Sequence, residues 1–174
     1  MECDAAVGIL LKGCKVLMIR RKPDPRDPFS WNVSFPGGSV EPGDESCLDT
    51  AIREVREEVN LSLDPKSLTA RMPVISPLSK RMRVVPFVFR VGEVSPEVGE
   101  EVEDLFWMDL RDMREGFAFI PRRDILVRAI SCCGYVVWGM SYRLLKLLAT
   151  VVRCDYRIHQ SREADQSRQI NYLS

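Results

Sequence analysis

The sequence predicts a mixed α/β domain, and three observations predict it. AAVGILLKGCKVLMIR at 5–20 is two apolar runs around Lys12-Gly13, the pattern of an opening β-hairpin. Residues 47–59, CLDTAIREVREEV, carry Leu48, Ala51, Ile52, Val55 and Val59 at helical spacing. A long apolar stretch at 124–150 supplies further helix near the end of the chain. Strands before and after a central helix, then a C-terminal helix, bury their apolar faces by stacking in layers. With 174 residues and 45% hydrophobic content there is enough chain for one domain, expected over 1–152, and for a polar tail at 153–174 with little to bury.

Each element has its own local warrant. After the hairpin, RKPDPRDPFS at 21–30 holds three prolines and mixed charge and reads as a surface loop. VSFP at 33–36 is a short strand stopped by Pro36 and Gly37-Gly38, and EPGD at 41–44 fits a turn. Ser46 with Asp49 three residues on resembles a capping box that opens the helix, and Asn60 closes it because it tolerates a left-handed backbone. VVPFVFRV at 84–91 and LFWMDL at 105–110 read as strands, joined by an acidic loop that holds Glu93, Glu97, Glu100, Glu101, Glu103 and Asp104. Residues 124–150 read as one or two helices broken near Gly134, with Trp107 and Trp138 expected in the core.

Composition narrows the functional classes. Lys plus Arg and Asp plus Glu both number 25, so no global field draws the chain to nucleic acid or to an anionic membrane. Arg128, Arg143 and Lys146 interrupt the most apolar region, which leaves no run near the ~20 residues needed to span a bilayer. MECDAAVG lacks a signal-peptide pattern, and the six cysteines form no CxxC pair, so a reducing, cytoplasmic setting is expected. Cys132 and Cys133 are read as small buried hydrophobes. The lone His159 lies in the polar tail and is not a catalytic candidate, and Lys80, Arg81 and Arg83 read as solvated surface.

The central helix poses the chemical question. Glu54, Glu57 and Glu58 fall in an arc of roughly 100° away from its apolar face. Like charges three and four positions apart each cost about 0.2–0.5 kcal/mol on an isolated helix unless cations neutralise them. Arg53 and Arg56 could do so, and so could a metal. Gly37-Gly38 just upstream lets backbone approach closely, and hard oxygen donors of this kind suit Mg²⁺ (or Mn²⁺) bridged to substrate phosphates.

On these residues the chain resembles the Nudix hydrolases. Their signature runs Gly, five residues, Glu, seven residues, then Arg-Glu-aliphatic-x-Glu-Glu-x-Gly-aliphatic. Gly38 opens it, and Arg53-Glu54-Val55-Arg56-Glu57-Glu58-Val59-Asn60-Leu61 closes it, with Asn60 in place of glycine. Asp44 stands where the first Glu belongs, eight residues before Arg53 instead of seven, so the orienting acid is Asp44 or Glu45. SFPGG at 34–38, RVVPFV at 83–88 and VVWGMSYRLLKLL at 136–148 are similar to the coenzyme A pyrophosphatase-like branch. Where that branch has an Arg and a Gly ahead of FPGG, this chain has Asp27 and Trp31.

The resemblance implies an α/β/α sandwich with a mixed sheet and a C-terminal helix. It also implies Mg²⁺- or Mn²⁺-dependent hydrolysis of a nucleoside diphosphate linked to another moiety. Coenzyme A or acyl-coenzyme A is the leading substrate, with ADP-ribose or another nucleotide the alternative. Glu54, Glu57, Glu58 and the Gly37 carbonyl are the implied ligands. Glu57 is also a candidate base, alongside Glu101 and Glu103, and Arg53 orients a neighbouring glutamate. Arg20, Arg21, Trp31 and Phe35 are candidates for substrate binding. The expected partner is a small nucleotide, without nucleic acid or membrane, and with homodimer formation left open. Retention of all three glutamates argues against a catalytically silent module.

Overall fold

A computed structural model describes residues 2–24, 30–78, 81–152, 154 and 159–160. Asp27 and Lys80 lie outside them. The opening hairpin forms as expected, with β1 (Ala5–Lys12) antiparallel to β2 (Lys15–Arg21). β3 (Val33–Ser34) pairs with β2, and β4 (Gly37–Ser39) returns to β1. The helix α1 (Cys47–Val59) follows, then β5 (Leu68–Arg71), β6 (Val84–Arg90) and β7 (Val102–Asp109). β6 runs parallel to β1 and β7 antiparallel to β2, which makes the seven-stranded sheet mixed.

A second, four-stranded sheet differs from the sequence expectation. In place of helix from residue 124, β8 (Arg114–Ile120), β9 (Ile125–Cys132) and β10 (Tyr135–Trp138) form antiparallel ladders, and only α2 (Gly139–Val151) is helical. The break at Gly134 is a two-residue hairpin turn. Tyr135 pairs with Cys132, and Cys133 and Gly134 take φ values of 56° and 84°, the positive pair that matches strand twist. In the expected tail, β11 (His159–Gln160) adds to β8 in parallel.

Alternation along β1 sets the layers. Ala6 and Leu10 face α1, where a Cβ on Gly8 would lie 2.4 Å from Val55. Ala5, Val7, Ile9 and Leu11 face the other way, onto Ile130 and Val137 of the second sheet and Leu144, Leu145 and Leu148 of α2. The α/β layering is as expected, with an extra sheet beside α2. Trp107 and Trp138 are only half-buried, each beneath a cation, Lys12 and Arg123 respectively. Among the described residues no helix is long and apolar enough to cross a membrane.

The cysteines depart from the expectation of free thiols. Cys3 is bonded to Cys47, tying the N-terminal segment to α1, and Cys14 is bonded to Cys154, tying the first hairpin to the chain after α2. Cys132 is buried as expected, but Cys133 is exposed. Cross-links that close 44 and 140 residues restrict the unfolded chain, and each typically contributes about 2–4 kcal/mol. Reduction with dithiothreitol should therefore lower the urea midpoint by a corresponding amount, and an unchanged midpoint would show that neither bond forms in solution.

Candidate active site

α1 begins and ends where its caps dictate. Ser46 accepts from the Asp49 amide at 3.2 Å, its hydroxyl donates to the Asp49 carboxylate at 2.9 Å, and Asn60 closes the helix at φ 54°. With the ends fixed, Glu54 and Glu58 point across to the Gly37-Gly38 strand. The Gly37 amide donates to Glu58 Oε2 at 2.8 Å, and a Cβ on Gly38 would lie 2.3 Å from Glu54 Oε1. The paired glycines thus form a slot that the Glu54 carboxylate fills. Gly37 itself packs on β1, with a notional Cβ 2.5 Å from the Ala6 carbonyl oxygen.

Two arginines organise the acids. Arg53 donates from Nε to Asp44 Oδ1 at 3.1 Å, from Nη1 to Glu54 at 3.0 Å and Glu57 at 2.8 Å, and from Nη2 to Asp44 and the Ser39 carbonyl. Asp44 also accepts from the Glu41 amide and the Thr50 hydroxyl, which closes the 41–44 turn. The Arg53 guanidinium beside it holds its carboxyl down to about 2. Asp44, not the exposed Glu45, is therefore the acid that anchors Arg53. Arg21, read from sequence as a substrate contact, is placed among carboxylates: it donates to Glu58 Oε1 at 2.8 Å and to Glu101 Oε2 at 2.7 Å. The acidic loop reaches α1 because Gly99 has no side chain, its amide donating to the Glu58 carbonyl at 2.9 Å and a notional Cβ 1.9 Å from the Glu57 carbonyl.

The charge balance at this corner is uneven. The Glu58 side chain is 5% exposed and Glu54 13%, whereas Glu57 is 55% exposed. Burial pushes Glu58 up to about 8 against the opposing pull of the Gly37 amide and Arg21, and burial raises Glu54 as well. A carboxyl raised by burial has a poorly solvated charged form, which a neighbouring cation would stabilise. Hard oxygens and a glycine slot suit a divalent cation. Among the described residues no three acidic, histidine or cysteine groups already converge as a ligand cluster. Glu54 and Glu57 share Arg53 while Glu58 leans on Arg21, so a cation would draw the third carboxylate from Arg53.

The sign of the Glu58 shift fixes a pH dependence. Between its ordinary value of 4.5 and about 8 the folded protein holds a proton that the unfolded chain has lost, so stability from this group is full at low pH and is lost as pH rises through that window. Metal-free urea melts should show this slope, and Glu58→Gln should flatten it; identical slopes in both proteins would refute the assignment.

The other sequence candidates lie elsewhere. Phe35 is 3% exposed in the main core and has no free face. Arg20 and Trp31 stack on one another on the far side of the sheet, 5.3 Å from guanidinium to ring centroid. Glu103 is exposed.

A family model of the NUDIX domain matches residues 4–128. The chain belongs to the Nudix family. It is 30% identical over 151 residues to an uncharacterized Nudix hydrolase NudL of Yersinia pestis, covering 84% of this chain and 74% of that protein. Nudix enzymes of this kind are hydrolases of phosphorus-containing anhydrides and generally depend on a divalent metal. Its fold is similar to a bifunctional NMN adenylyltransferase/ADP ribose pyrophosphatase from Francisella tularensis, complexed with AMP and a Mn ion, with TM-score 0.58 and 19% identity. That match covers 86% of this chain and 42% of the Francisella chain, so the Nudix chain spans under half the length of that relative. It is also similar to a Nudix hydrolase from M. smegmatis, RenU, with TM-score 0.57 and 13% identity over 88% of this chain and 89% of that one. The Nudix domain of Shewanella oneidensis NrtR, complexed with ADP ribose, gives TM-score 0.53 and 17% identity over 84% and 85% of the two chains.

Proposed function

We propose that this Nudix hydrolase cleaves the diphosphate of a nucleoside diphosphate linked to another moiety, with coenzyme A or acyl-coenzyme A as substrate. The observation that carries the reading is the pair of buried carboxylates, Glu54 and Glu58, one helical turn apart against Gly37-Gly38. They would hold Mg²⁺ (or Mn²⁺) together with Glu57 and the Gly37 carbonyl. Bound there, a divalent cation would polarise phosphoryl oxygens and lower the pKa of a water.

The chain's own residues would do the rest. Arg53, whose donors are all engaged by protein oxygens, acts as a positioning residue for Glu54 and Glu57 and does not reach substrate. Arg21 positions Glu58 and Glu101 in the same way. Proton removal from the attacking water falls to Glu57 or Glu101, both at the solvent edge and both linked to the buried pair through an arginine. Glu103 is the third candidate.

SFPGG, RVVPFV and VVWGMSYRLLKLL, which resemble the coenzyme A branch, favour that substrate. ADP-ribose, named for the Francisella and Shewanella proteins, is the competing candidate. The reading has the enzyme acting on small molecules. Product analysis with and without Mg²⁺ tests substrate and class together. 4′-Phosphopantetheine with 3′,5′-ADP supports coenzyme A, and AMP with ribose 5-phosphate supports ADP-ribose. No product from either, with metal present, would refute the proposal.

A further inference from the structure

Three segments on the face of the sheet opposite α1 bring together two guanidiniums, with Asp104 the cross-strand neighbour of Arg20. Arg20 ends β2, Trp31 lies in the turn before β3, and Arg122 sits in the 3-10 turn Pro121–Arg123 between β8 and β9. Both guanidiniums lie over the Trp31 ring, at 5.3 and 5.6 Å from its centroid. Arg20 also lies over Tyr135, at 5.8 Å, and that phenol donates to Asp104. Attraction to the indole face offsets part of the repulsion between the two cations, but it supplies no counter-charge. Among the described residues neither Arg20 nor Arg122 forms an ion pair, and Arg122 Nη1 donates to the Ser30 hydroxyl at 3.2 Å.

Two further observations point to a ligand. The Arg20 Nε–H and the Trp31 indole N–H are both buried without an acceptor, although buried donors are nearly always satisfied. Trp31 is held at φ 66°, a backbone region that bulky residues adopt at a cost and that clusters at binding sites. Guanidinium and indole groups only donate, so the missing group is an acceptor. Two planar forks beside one another suit the oxygens of a dianionic phosphate.

The same anion does not serve both faces. Consecutive residues of a strand project to opposite sides: Arg21 goes to Glu58 and Glu101, while Arg20 goes to Trp31 and Tyr135. We infer that the Arg20–Trp31–Arg122 stack binds a phosphomonoester that the substrate carries outside its scissile diphosphate, and that Arg122 sets the preference for it. This rests on the nucleotide-hydrolase reading above and narrows it to substrates with a third phosphate.

The test separates the two readings by binding without turnover. Calorimetry on the full chain, without metal, would compare adenosine 3′,5′-bisphosphate, 5′-AMP and inorganic phosphate. The bisphosphate should bind at least about tenfold more tightly than 5′-AMP. Arg122→Gln, an exposed turn substitution, should bring the two within about twofold, and Arg122→Lys should fall between. Equal binding by the native chain, or a preference that survives Arg122→Gln, would overturn the site. Inorganic phosphate binding as tightly as the bisphosphate would overturn a substrate-borne group in favour of a free anion. Turnover of coenzyme A against its 3′-dephospho form is scored separately. Selective binding with neither compound hydrolysed would remove the hydrolase reading and leave the anion site standing.

Discussion

Exchange of Glu58 for Gln is expected to abolish turnover while making the metal-free protein more stable at neutral pH. Removing a group that merely orients a metal ligand costs about 10–100-fold in affinity or activity. Loss of a ligand carboxylate should therefore lower kcat/KM by at least about 100-fold. Stability behaves differently. Burial holds the Glu58 carboxyl near 8, so at neutral pH and without metal it is mostly a neutral acid, and Gln is close to it in shape and charge. The Gln carbonyl oxygen can still accept from the Gly37 amide, now 2.8 Å from Glu58 Oε2. At neutral pH only the native protein must hold a proton on folding, so a raised urea midpoint that converges with the native one below pH 4.5, together with lost Mg²⁺ binding by calorimetry, is the expected pair of results. Retained activity with lost stability would make Glu58 a structural acid and dissolve the metal assignment.

α1 was legible in the sequence because three independent signals agreed: the apolar period, Ser46 at its start and Asn60 at its end. Its acids were legible as types. Their partners were not, because they come from distant positions. Arg21 reaches Glu58 across 37 residues and Glu101 across 80, and a register shift in the β2–β7 ladder falls between Arg20 and Arg21. The choice between Asp44 and Glu45 likewise turned on geometry, since the 41–44 turn buries Asp44 against Arg53 and leaves Glu45 outside.

The second sheet was missed for a different reason. ILVRAISC and YVVW are apolar runs that periodicity alone does not separate from buried helix. Their β-branched content and the Cys133-Gly134 pair between them were the signals that could have decided it, since a two-residue turn with positive φ at both positions joins strands and not helices. The consequence reached the site. With 124–132 read as helix, Arg122 had no reason to lie near Trp31, and the cationic stack that spans the two sheets was out of view.

Gly38→Ala should reduce activity strongly and stability hardly at all, whereas Gly37→Ala should lower both, because Gly37 also holds Glu58 through its amide. A Cβ at position 38 would meet only the Glu54 carboxylate, at 2.3 Å from Oε1 and 2.6 Å from Cδ. That group ends a flexible side chain, so it can swing aside without moving backbone. The displaced carboxylate then no longer lies beside Glu58, and Mg²⁺ affinity and kcat/KM should fall about 10–100-fold, with the urea midpoint changed by less than about 1 kcal/mol. At position 37 the added carbon would meet the Ala6 carbonyl oxygen at 2.5 Å and Val7 Cα at 2.8 Å. Those are backbone atoms of a strand paired on both sides, and forcing them apart should cost about 1–3 kcal/mol of stability. Parallel losses of both properties in both variants would mean that the glycine pair is a packing device alone, with no slot reserved for Glu54.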